Sequence, residues 1–124
     1  MPVVPAPAEP THELGTTRFT SLATPSRGST ETSVWQVEVA PGTEPTPHSL
    51  TREEVFVVLD GVAAVTIDGE AAHARAGDAV VVPPGVRFVL ANGGATALRL
   101  LCCLPVGGQA TTDEAGPFTP PWAL

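Results

Sequence analysis

The chain has 124 residues, 43% of them apolar, with 13 acidic side chains against six basic ones and a formal charge of -7. This length and apolar share suit one compact domain with a usable core, while the acidic balance disfavours nucleic acid and anionic membranes as partners. All six basic residues are arginines, so the chain has no lysine for Schiff-base chemistry or for a P-loop. The 12 glycines and 14 prolines argue against a helical fold, because both residue types are poor inside helices.

Residues 1–16 are read as a flexible Pro-rich tail, with His12 inside it and without chemistry. It has neither the basic start nor the apolar run of a signal peptide. Residues 17–124 are read as a single domain that ends in an extended Pro-rich segment. Within it, short β-branched runs predict strands at 18–22, 32–39, 48–50, 54–59, 63–67, 71–75, 79–82, 87–90 and 97–104. Turn signals such as Asp60-Gly61, Asp68-Gly69, Pro83-Pro84-Gly85 and Asn92-Gly93-Gly94 separate them. Strands at this spacing with no helix between them predict an all-β fold, an antiparallel jelly-roll β-barrel. Phe118 and Trp122 in the Pro-rich end would be costly to leave in water, so that segment is expected to lie along the barrel or along a partner subunit. Cys102 and Cys103 are adjacent, give no disulfide framework, and fit a reducing, cytoplasmic setting.

Two segments carry a family resemblance. PGTEPTPHSLTREEVFVVLDG places Gly42, His48, Glu54 and Gly61 on the spacing of the first cupin motif, and GDAVVVPPGVRFVLAN places Gly77, Pro83, Gly85 and Asn92 on that of the second. The chain resembles a small single-domain bacterial cupin of the RmlC-like jelly-roll superfamily. Cupins typically hold a metal with three histidines and one glutamate. At two of the histidine positions this chain has Leu50 and Phe88, so the resemblance implies a degenerate metal motif in which only His48 and Glu54 remain. Two donors fall short of the three that a catalytic metal site requires. The expected state is therefore metal-free, with weakly held Fe, Mn, Ni or Zn on His48 and Glu54 as the alternative.

Strand alternation predicts which side chains face the interior. His48 and Leu50 share a face, as do Glu54 and Phe56, Phe88 and Leu90, Trp35 and Val37, and Leu100 and Cys102. Val55, Val57 and Leu59, together with Val80 and Val82, are assigned to the outer face, whose apolar area predicts a homodimer. His73 is expected at the surface. The interior set forms an apolar pocket in which Glu54 has a raised pKa unless His48 compensates it as a cation. Either state suits proton transfer on a small apolar or aromatic molecule, and Trp35 offers such a molecule a flat wall. The expected function is a metal-independent acid/base enzyme of isomerase, lyase or cyclase type. The alternatives are a non-catalytic metabolite-binding protein and a metal-dependent oxygenase or lyase.

Overall fold

A computed structural model describes residues 2–124. The chain forms strands β1 (His12–Leu14), β2 (Thr17–Ala23), β3 (Thr32–Val39), β4 (His48–Leu50), β5 (Glu54–Asp60), β6 (Val62–Ile67), β7 (Glu70–Arg75), β8 (Ala79–Val82), β9 (Phe88–Asn92), β10 (Leu98–Pro105) and β11 (Ala110–Thr112). Single 3-10 turns occur at Pro25–Arg27 and Pro121–Ala123. A six-stranded sheet in the order β1-β2-β3-β10-β5-β8 faces a five-stranded sheet in the order β11-β4-β9-β6-β7. All the pairings are antiparallel. This is the jelly-roll architecture that the strand spacing predicts. No helix among the described residues is long and apolar enough to cross a membrane.

Period-two alternation places the core between the sheets. On β10, Leu98, Leu100, Cys102 and Leu104 are buried while Arg99 is exposed; on β5, Glu54, Phe56 and Val58 are buried. Turn and motif residues hold the frame. Asp68 and Gly69 both have positive φ, 50° and 80°, the twist a two-residue hairpin between β6 and β7 requires. Gly61 packs so closely that a Cβ there would lie 2.6 Å from the Ala97 carbonyl oxygen. The Asn92 amide donates to the Val39 carbonyl at 3.0 Å and the Thr96 carbonyl at 2.8 Å, tying the β9–β10 loop to β3.

Two expectations need correction, and one strand had no sequence signal. Residues 12–14 lie in the predicted tail, yet they form β1, which pairs with β2 through His12↔Phe19 and Leu14↔Thr17. Such a short edge strand, with an exposed Leu14, leaves no apolar period to read. Val80 and Val82 point inward instead of outward, because β8 pairs Val82 with Glu54 and Val80 with Phe56; Val81 takes the outer position and is 51% exposed. Finally, β11 was not anticipated; Ala110–Thr112 pairs with β4 and is too short to show an alternation.

Candidate active site

The ten side chains assigned to the pocket, His48, Glu54, Trp35, Val37, Leu50, Phe56, Phe88, Leu90, Leu100 and Cys102, line one cavity of about 250 Å³ between the sheets. Register explains the convergence. Cys102 lies across from both Trp35 and Phe56, and Leu100 lies across from Val37. On the facing sheet His48 pairs with Phe88. His12 and His73 lie outside the cavity, on β1 and on the exposed face of β7.

His48 is half-buried, with its ring centroid 4.3 Å from that of Phe88. Its Nδ1 is 2.9 Å from the Thr46 carbonyl oxygen. A carbonyl only accepts, so Nδ1 carries the proton and, in the neutral ring, Nε2 carries the lone pair. Burial lowers the His48 pKa, and the bond to Thr46 offsets this in part. The neutral imidazole is the favoured form.

Glu54 is only 4% exposed. Its carboxyl gains no donor among the described residues, and loss of hydration alone pushes its pKa up to about 8. No ion pair joins Glu54 to His48; the two in the described chain are Arg18–Glu38 and Arg87–Asp113, both at the surface. Compensation of Glu54 by a His48 cation, one of the two states expected from sequence, is therefore not realised. Two neutral groups of opposite proton status share the cavity instead. The Cys102 thiol, fully buried, has its pKa raised well above the ordinary value by burial, by Glu54 and by Cys103. It stays protonated and makes a poor nucleophile.

The convergent donors fall short of the three protein ligands of a catalytic metal site. Among the described residues no three His, Cys, Asp or Glu side chains converge, and Leu50 and Phe88, 3% and 1% exposed, fill the two positions where cupins typically place histidines. Neither side chain has a lone pair to give.

The sequence reading missed several lining residues. Phe19, the Thr43–Thr46 loop, Phe118, Pro120 and Trp122 also border the cavity. Phe19 and Trp122 stack with centroids 3.6 Å apart and planes 5° from parallel. The two aromatic residues in a Pro-rich run were the available signal, but a run without periodicity says nothing about which surface it covers.

Residues 35–104 match the Cupin domain family. The chain is a cupin. Over 53 residues it is 34% identical to an uncharacterised protein of Methanocaldococcus jannaschii, a stretch that spans 43% of this cupin and 42% of that protein. Among solved structures, the polyketide cyclase RemF from Streptomyces resistomycificus superposes with a TM-score of 0.72 at 21% identity, covering 91% of this chain and 82% of the cyclase. An RmlC-like cupin from Shewanella frigidimarina gives 0.67 at 23% identity, covering 78% and 82%. Salicylate 1,2-dioxygenase from Pseudoaminobacter salicylatoxidans, in its adducts with gentisate, gives 0.70 at 20% identity, with 86% of this chain covering 31% of the dioxygenase. At these identities the structural likeness establishes the fold alone.

Proposed function

We propose that this cupin is a metal-independent acid/base enzyme acting on a small, largely apolar carbonyl compound, with Glu54 as general acid and His48 as general base. The observation that carries the reading is the pairing of a protonated carboxyl, its pKa near 8, with a neutral imidazole in one apolar cavity. His48 Nε2 removes a proton from the carbon next to the carbonyl as the Glu54 O–H delivers one to the carbonyl oxygen, giving a neutral enol. The enzyme is then left with an imidazolium and a carboxylate. The imidazolium then protonates a different carbon, which isomerises the substrate, or protonates the oxygen of a second carbonyl as the enol carbon attacks it, which cyclises the substrate; in both cases the enol O–H proton returns to the Glu54 carboxylate. Cyclisation is compatible with this fold in RemF, a polyketide cyclase, and binding of an aromatic molecule with the gentisate adducts of the dioxygenase. No cofactor is needed. Apolar Val55, Val57 and Val81 on the outer face of the six-stranded sheet support a homodimer, and light scattering at micromolar concentration should give twice the monomer mass.

The test uses 2-tetralone, a small enolisable aromatic ketone, and follows deuterium exchange beside the carbonyl by NMR. Wild type should accelerate exchange, whereas Glu54→Gln and His48→Gln should each lose about 10²–10⁴-fold of that acceleration. Binding without exchange in wild type would instead favour a sequestering or sensing cupin. Restoration of exchange only on addition of Fe, Mn, Ni or Zn would favour a metal enzyme.

A further inference from the structure

The Pro-rich strap, residues 116–124, bridges the two sheets. On one side Phe118 exchanges two backbone hydrogen bonds with Ala110 of β11, at 2.8 and 2.9 Å. On the other, the Ser21 hydroxyl donates to the Trp122 carbonyl at 2.7 Å, and the buried Ser33 hydroxyl to the Ala123 carbonyl at 2.9 Å. The strap therefore spans from the five-stranded sheet to the six-stranded one and supplies Phe118 and Trp122 to the cavity wall. Near its end the strap is anchored by side chains of β2 and β3, beside the Phe19 ring on which the indole stacks.

The charge of the lining points the same way. None of the six arginines borders the cavity, and its carboxyl groups are Glu54 inside and Glu44 on the exposed loop at the mouth. A carboxylate or phosphate entering would lose its hydration without meeting a cation, and Glu44 would repel it on approach. A neutral flat ring loses little on entry and gains contact with Trp122, Phe19 and Trp35.

We propose that the strap and the cation-free lining make this cavity selective for neutral flat aromatic ketones over aromatic carboxylates, with Trp122 as a specificity-determining residue. This rests on the acid/base reading for the ketone but can fail independently of it.

Isothermal titration of the full chain at pH 7 with 2-acetonaphthone and 2-naphthoate tests it. The ketone should bind at least about tenfold more tightly than the carboxylate. Trp122→Leu, which keeps an apolar side chain on the strap, should weaken the ketone by about tenfold with an unchanged circular dichroism spectrum. Glu44→Arg, which reverses the charge at the mouth, should raise naphthoate affinity by about tenfold. Equal or tighter binding of naphthoate by wild type, or full ketone affinity in Trp122→Leu, overturns the proposal. The tetralone exchange assay separates the two readings: selectivity without exchange sinks the acid/base function and keeps this inference. Exchange with equal naphthoate binding does the reverse.

Discussion

The two faces of the six-stranded sheet carry carboxylates with opposite circumstances. Glu38, on β3, faces outward and pairs with Arg18 at 3.8 Å, with 60% of the arginine and 45% of the glutamate side chain exposed. Glu54, on β5, faces inward at 4% exposure and gains no partner. The outer group sits in water, where its ion pair is worth little. The inner one holds a proton that an exposed glutamate would give up near pH 4.5. The same side chain is thus a solubilising group on one face and an acid suited to neutral pH on the other, and the pleat decides which.

Replacing the inner carboxyl should have the largest effect. Glu54→Gln should cost about 10²–10⁴-fold in tetralone exchange, while Glu38→Gln should leave the rate unchanged. The wild-type rate should fall as pH rises through about 8, where Glu54 loses its proton. Its acid limb, set by His48, should lie below the ordinary value of 6.5.

Stability should separate the two faces next. The folded pKa of Glu54 exceeds its unfolded value, so between pH 4.5 and 8 the native state binds more protons and stability falls as pH rises. For His48 the folded pKa is the lower one, so it adds stability as pH rises towards 6.5 and nothing further above it. From pH 6.5 to 8 only Glu54 acts among these two, and urea unfolding should show a loss of about 2 kcal/mol. The Glu54→Gln variant should show a flat profile there. Arg18→Ala, which removes the partner on the outer face, should cost less than about 0.5 kcal/mol at any pH in that window.

Restoring donors tests whether the inner face is placed correctly. The double variant Leu50→His, Phe88→His should bind Zn or Ni stoichiometrically, as four donors would then converge. Wild type should bind either metal far more weakly in the same titration.

The frame and the inner face were legible in the sequence because two independent regularities specify them. The glycines, Pro83 and Asn92 of the two motifs fix turns whose geometry few other residues accept. Alternation on β3, β5 and β10 then assigns Trp35, Phe56 and Cys102 to the same side. Where alternation is short or absent, the sequence specifies no face. Strand β8 is four residues of alanine and valine, so nothing in its composition says which valines face inward; its pairing with β5 does. Trp122 owes its place in the cavity wall to hydroxyls of Ser21 and Ser33 about a hundred residues away in sequence, contacts without a local pattern. The mutual neutrality of Glu54 and His48 was likewise open, because it depends on whether their side chains meet.

The central claim is that Glu54 holds its proton at neutral pH. Carboxyl-detected NMR of the protein with ¹³C-labelled glutamate, its Glu54 signal assigned by loss in Glu54→Gln, measures this directly. The titration midpoint should lie near 8. A midpoint in the ordinary carboxylate range, around 4.5, would contradict it.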